Sequence, residues 1–209
     1  MNQPSDYRSS TTAYYDANAA EYCGNTVSVD MSELYGPFMQ EIPAGGRILD
    51  AGCGSGRDSL AFLKAGYAVV SIDASLEMVK ATNKLTGRDA LLLAFNEIEF
   101  MNEFDGIWAC ASLLHVSRRD VDAVLIRLAK ALKANGVLYV SFKYGDAERI
   151  EHGRFFNDLS EPLLKSLLAD HPCLELLKLW ITDDVRTERR GTQQWLNALV
   201  RRRETEPGA

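Results

Sequence analysis

The stretch Ile48-Leu49-Asp50-Ala51-Gly52-Cys53-Gly54-Ser55-Gly56-Arg57-Asp58 is the part of this sequence best suited to chemistry on a ligand. Its three alternating glycines let a strand turn sharply into a helix while leaving the backbone open to a bound molecule, since residues without Cβ tolerate both demands. Glycines alone would also suit an ordinary tight turn. The flanking carboxylates favour the ligand reading: Asp50 ends the strand before the loop, and Asp73 ends the next apolar run. A carboxylate offers two acceptor oxygens and can serve a pair of neighbouring hydroxyls. A dinucleotide fingerprint would need glycines at 52, 54 and 57, and position 57 is arginine, so that reading fails at its third glycine.

Other reactive side chains are scattered. Cys23, Cys53, Cys110 and Cys173 show no CxxC spacing, so neither a disulfide framework nor a zinc site is expected, and they read as reduced thiols. Cys110 has no obvious base beside it and reads as packing. No metal cluster is expected.

These residues must be positioned by alternating strands and helices. Strands are expected at 47–50, 67–73, 90–95, 105–110 and 137–144, with helices at 55–65, 75–85 and from Ser117 to a break at Asn135-Gly136. Ser75 caps the second of these helices, and Ser117 with Asp120 resembles a capping box. A polar loop to Asp158, a helix at 160–169 and two strands at 173–182 and 192–201 complete the chain. The pattern is α/β: a Rossmann-like three-layer sandwich whose seven-stranded, mostly parallel sheet ends in an antiparallel β-hairpin. A dinucleotide-binding fold would instead continue in parallel units.

The chain has 209 residues, 46% hydrophobic and 25% charged, which suits one domain with a continuous core. Residues 1–13 and 204–209 are expected to be loose ends around a single domain at 14–203. The net charge of −6 does not favour a polyanionic partner, and no stretch approaches a membrane span, so neither nucleic acid nor membrane is expected and the location is expected to be cytoplasmic.

D-x-G-x-G-x-G, together with the order of elements over nearly the whole chain, resembles motif I of the class I S-adenosylmethionine-dependent methyltransferases. The resemblance implies that Gly52, Cys53, Gly54 and Gly56 approach the methionine part of S-adenosylmethionine and that Asp50 lies near its amino group. Asp73, followed by Ala74, would hold the ribose hydroxyls, and Glu97, with Asn96 as the alternative, would contact the adenine. Arg57 either holds the cofactor's carboxylate or is a solvated helix-start residue. Ala109 and Cys110 would stand beside the methyl donor, and His115 would face the acceptor as a neutral imidazole able to act as a base, unless it is a capping or core histidine. Trp108 reads as core.

Tyr14-Tyr15-Asp16-Ala17-Asn18-Ala19-Ala20-Glu21-Tyr22 resembles the lid helix of small-molecule members, within an N-terminal segment at 14–46. Tyr15 and Tyr22 would then cover the cofactor, with Tyr15 also a catalytic candidate, although a helix that only packs on the sheet would look similar. Lys143 and Arg154 are candidates for an anionic acceptor, with Trp195 and Asn197 as further wall. There is no Asn/Asp-Pro-Pro-Tyr/Phe motif and no Pro-Cys pair, which disfavours amino-group and cytosine-C5 acceptors. The lid and compact size most resemble tellurite-resistance-type and related small-molecule methyltransferases, which would imply a small nucleophile such as a thiol or chalcogen compound as acceptor and S-adenosylhomocysteine as product. The alternatives are methylation of RNA or protein, through Arg186, Arg189, Arg190 and Arg201 to Arg203, and a cofactor-binding scaffold without turnover. A monomer or weak homodimer is expected.

Overall fold

The computed structural model describes residues 7–186 and 191–204. Seven strands form one sheet: β1 (Arg47–Ala51), β2 (Ala68–Asp73), β3 (Leu91–Leu92), β4 (Phe104–Ala109), β5 (Leu132–Lys143), β8 (Leu174–Asp183) and β9 (Gln194–Arg202). Their order is β3-β2-β1-β4-β5-β9-β8. The first five run parallel, while β9 pairs antiparallel with both β5 and β8. This is the expected Rossmann-like sheet with its closing hairpin.

Side chains alternate across a strand, so each central strand feeds two cores. Leu49, Ile107, Leu138 and Val140 join the cluster on one face, and Ile48, Trp108, Val137 and Tyr139 the cluster on the other. Trp108 is fully buried, as its strand position implied, and stacks on Tyr139 with centroids 3.9 Å apart. Phe38 and Phe62 pack against the same indole, and burying each such ring contributes about 1.5–3 kcal/mol.

Helices α3 (Arg57–Lys64), α4 (Leu76–Thr86), α5 (Arg118–Ala131) and α6 (Glu161–Ala169) cover the sheet, preceded by α1 (Tyr7–Thr26) and α2 (Ser32–Met39). Ser75 caps α4 by accepting from the Met78 N–H at 3.2 Å, and Gly87 ends it in the left-handed region. Ser117 does not cap α5 through its side chain; its hydroxyl donates instead to Asp120 at 2.9 Å.

Three local expectations are corrected. The helix at the N-terminus starts at Tyr7, so residues 7–13 belong to α1; Tyr7 is buried and its hydroxyl donates to Asp120 at 2.6 Å. The third strand is only Leu91–Leu92 and gives way to a short 3-10 turn at Phe95–Glu97. The polar loop before α6 contains a hairpin of β6 (Glu148–Glu151) and β7 (Arg154–Asn157). Its two-residue turn, His152-Gly153, has φ of 50° and 79°, the double left-handed geometry that matches the twist of a tight hairpin. Of the basic residues considered for RNA or protein docking, Arg189 and Arg190 lie outside the described residues.

Candidate active site

The glycine loop runs from the end of β1 into α3. Gly52, Gly54 and Gly56 all have positive φ, at 86°, 53° and 80°. At Gly52 an added Cβ would lie 2.4 Å from Ser112 Cβ, and at Gly56 2.9 Å from the Thr82 backbone, so both conformation and space require glycine. Gly54 is different: a Cβ there would meet only the Tyr22 ring at 3.5 Å, so a lid residue faces the loop.

Asp73 locks this loop from β2. Its Oδ2 accepts from the Gly54 N–H at 2.9 Å and its Oδ1 from the Ser75 N–H at 2.9 Å. Each oxygen retains a further lone pair for a ligand hydroxyl. Burial pushes the Asp73 carboxyl up from its ordinary range, against the pull of those backbone donors.

An open cavity of about 980 Å³ lies over the loop, bordered by Gly52, Gly54, Asp73, Ala74, Asn96 and the lid residues Tyr15 and Tyr22. Apolar Ile72, Met78, Leu93 and Phe95 form a slot beside Asp73. A carboxylate with free acceptor positions, an amide and an apolar slot suit a diol and a planar base on one molecule, so the donor set fits an adenosyl group. A second cavity of about 1030 Å³ lies on the other side of Tyr15, Tyr22, Cys110, Ala111 and His115, which border both. Lys143, Arg154, Trp195 and Asn197 border this second space.

The lid is anchored by its acidic residue. Asp16 Oδ1 accepts from Ser75 Oγ at 2.6 Å, beside the Ser75 N–H held by Asp73. Helix α1 bends at Asn18, where φ is −115° and the side-chain amide donates to the Tyr14 carbonyl at 2.7 Å. Tyr15 and Tyr22 stand on either side of this bend, edge to face with centroids 5.1 Å apart.

His115 is held from two directions. Its Nδ1 lies 2.6 Å from the Phe155 carbonyl, which can only accept, so Nδ1 carries the proton. Nε2 therefore accepts from the Tyr15 hydroxyl at 2.8 Å. Burial lowers the His115 pKa to about 4, and the nearby Arg154 and Lys143 charges act in the same direction, so the imidazole is neutral near pH 7 but weakly basic. Cys110 is likewise held as a thiol, its pKa pushed up to about 12 by burial and by the Asp58 charge. A thiol so held is a poor nucleophile, and Cys110 borders both cavities.

Several expected cofactor residues lie outside the lining of the first cavity. Asp50 sits below the loop, where Ser59 Oγ donates to it at 2.6 Å; burial and the Asp58 charge raise its pKa to about 8. Cys53 is buried against Val79 and Ala90, and Ala109 is fully buried in the sheet. Glu97 turns back to accept from the Ala94 N–H at 2.9 Å, and Asn96 takes the cavity position instead. Arg57 is neither solvated nor at the first cavity: it grips Asp58 through Nε at 2.6 Å and Nη2 at 2.9 Å and borders the second.

Sequence reading overlooked the carboxylate that organises this region. Asp58 also accepts from Tyr35 Oη at 2.5 Å and Trp108 Nε1 at 2.9 Å. Although burial opposes its charge, Arg57 and these donors keep its pKa below the usual range. Asp58 directly follows Arg57, which gave no spacing by which Tyr35 and Trp108 could be foreseen. Ser112 was also overlooked; its hydroxyl donates to the Ala51 carbonyl at 2.7 Å and fixes the turn after β4 against the glycine loop.

Sheet order and glycine loop are those of the Rossmann-like methyltransferase fold. Residues 49–140 match the family model described as a methyltransferase domain. A ubiquinone biosynthesis O-methyltransferase of Rhodopseudomonas palustris is 32% identical over 103 residues, 47% of this chain and 40% of that protein. A malonyl-[acyl-carrier protein] O-methyltransferase of Hamiltonella defensa is 34% identical over 96 residues, 45% of this chain and 36% of that protein. The chain thus spans less than half the length of the curated relatives it matches. Among solved structures, Burkholderia thailandensis 1,6-didemethyltoxoflavin-N1-methyltransferase, with 1,6-didemethyltoxoflavin and S-adenosylhomocysteine bound, superposes with a TM-score of 0.80 at 20% identity, covering 98% of this chain and 92% of that one. No helix among the described residues is long and apolar enough to cross a membrane.

Proposed function

We propose that this protein transfers a methyl group from S-adenosylmethionine to a small-molecule nucleophile. The observation that carries the proposal is the shared wall of the two cavities: Tyr15, Tyr22, Cys110, Ala111 and His115 border both a cofactor-sized space and a second space of similar volume. In-line displacement requires donor and acceptor to meet at one point from opposite sides. S-adenosylmethionine, when bound, supplies an electrophilic methyl group on a sulfonium.

In this reading Gly52 and Gly54 admit the cofactor to the backbone, Asp73 accepts from its ribose hydroxyls, and Asn96 with Ala74 borders the base. Tyr15 and Tyr22 close the top, where aromatic faces favour a cation and exclude water. Asp50 lies one layer below, where Ser59 Oγ donates to it, and supports the loop from beneath. His115 positions the Tyr15 hydroxyl through Nε2. With a pKa of about 4 it is a weak acceptor of protons. That favours an acceptor already nucleophilic at neutral pH, such as a thiol or chalcogen compound, the class on which the tellurite-resistance-type resemblance bears. Both cavities are pockets of a size for small molecules, which favours a small acceptor over RNA or protein, and the relatives named for ubiquinone biosynthesis and toxoflavin chemistry support a small-molecule acceptor.

The test is formation of S-adenosylhomocysteine from S-adenosylmethionine by the purified protein in the presence of thiol, selenide and phenol acceptors in turn. Product that depends on an acceptor, highest with the thiol or selenide, is the expected result. Cofactor binding without product for any acceptor would favour the scaffold reading.

A further inference from the structure

We infer that Arg154 is the recognition residue for a carboxylate on the methyl acceptor, so that the substrate class is a small organic monoanion with an apolar body. This rests on the methyltransferase reading of the site. The cations bordering the second cavity differ in how they are satisfied. Arg57 is paired with Asp58, Arg186 with Asp184 at 2.6 Å, and Lys143 lies 3.6 Å from Glu151 with its ammonium 4.1 Å from the centre of the Phe156 ring. Arg154 has no carboxylate within ion-pair distance among the described residues, and its Nε is buried without a hydrogen-bond partner.

The guanidinium is nonetheless held in place. It lies 4.3 Å from the centre of the Tyr14 ring and 5.2 Å from that of Phe156, stacked between the lid and the β6–β7 hairpin. An arginine fixed by aromatic faces, with one donor interacting with the Tyr15 hydroxyl and Nε left without a partner, is prepared for an oxyanion, because the planar fork matches a carboxylate with two parallel N–H bonds. Other charges select among anions. Glu151, Asp183 and Asp184 border the same cavity, so one unpaired guanidinium balances a single negative charge but not the two of a phosphate monoester.

Arg154 is also tied to the transfer point. It precedes Phe155 on β7, whose carbonyl accepts from His115 Nδ1 at 2.6 Å. The strand that would hold the acceptor's carboxylate therefore also holds the imidazole that positions Tyr15, and a bound carboxylate would set the acceptor's reach to the shared wall. Apolar Val29, Leu34 and Trp195 border the remainder of the cavity and suit an aliphatic or aromatic body.

The experiment is calorimetric titration of benzoate, benzamide and phenyl phosphate into the full chain, with and without saturating S-adenosylhomocysteine. Benzoate is expected to bind at least tenfold more tightly than benzamide or phenyl phosphate. Arg154→Gln should abolish that preference, and Arg154→Lys should recover part of it, with circular dichroism confirming that both variants fold. Equal binding of benzoate and benzamide by the wild type, or an undiminished preference in folded Arg154→Gln, would overturn the inference. Tighter binding of phenyl phosphate would overturn the carboxylate assignment. Failure of the wild type to bind S-adenosylhomocysteine would instead count against the methyltransferase reading, since the benzoate preference is read without cofactor as well.

Discussion

Across a separation of 100 residues, the Tyr15 hydroxyl donates to His115 Nε2 at 2.8 Å, joining the lid helix to the turn after β4. Because Nδ1 is committed to the Phe155 carbonyl, the bond defines one tautomer of a neutral imidazole. Protonating His115 would remove the acceptor that Tyr15 uses, so this pair links lid position to pH.

The first prediction concerns that linkage. A histidine titrating at about 4 when folded and 6.5 when unfolded binds fewer protons in the folded state between those values. Its contribution to stability therefore rises with pH through this window and is lost as pH falls from 6.5 toward 4. At about 1.4 kcal/mol per pH unit, the full loss is up to about 3 kcal/mol. Urea denaturation at pH 5 and pH 7 should show a smaller pH effect in His115→Gln than in the wild type. An equal pH effect in both would mean that His115 is not held in this way.

A second prediction follows from the Asp58 cluster. Replacing Asp58 by alanine leaves the buried Arg57 charge unpaired and removes the acceptor for Tyr35 and Trp108. The expected loss of stability is about 3–5 kcal/mol, the range for breaking a buried ion pair from one side. A loss below about 1 kcal/mol in urea denaturation would show that solvent or rearrangement replaces the carboxylate there.

Gly52 and Gly66 separate backbone strain from steric fit. Both have strongly positive φ, 86° and 90°, but a Cβ at Gly66 meets nothing within 4 Å whereas one at Gly52 meets Ser112 at 2.4 Å. Gly66→Ala should cost about 1–3 kcal/mol from backbone conformation alone. Gly52→Ala should cost more and also weaken S-adenosylhomocysteine binding. Equal destabilisation by the two substitutions would remove the steric part of the account.

Much of this was legible because local chemistry and global fold agree. The D-x-G-x-G-x-G loop, the Ser75 cap and the period of apolar residues on β1, β4 and β5 all reflect short-range demands and placed their elements, except that α5 ends at Ala131 and β5 begins at Leu132, where the helix was expected to run on to Asn135. What escaped depends on distant partners. Tyr7 gains its place in α1 from Asp120, more than 100 residues away, so the polar segment around it read as a loose end. Leu91 and Leu92 promised a longer strand, but they lie on the sheet edge, 44% and 56% exposed, and the chain turns away at Phe95. The β6–β7 hairpin was hidden by its charged residues, although His152-Gly153 between Ile150 and Phe155 was a signal for a two-residue turn. In the site, Asp73 and the glycines were legible, while the preference of the cavity for Asn96 over Glu97 depends on a single backbone bond at Ala94.

The central claim is that the loop and Asp73 bind the adenosyl cofactor, and calorimetric binding of S-adenosylhomocysteine to the wild type and to folded Asp73→Ala tests it most directly. Micromolar-range binding that weakens by about 1–3 kcal/mol in the variant, the size of a lost charged hydrogen-bond partner, is the predicted result. Absence of binding by the folded wild type, or equal affinity in both proteins, would contradict it.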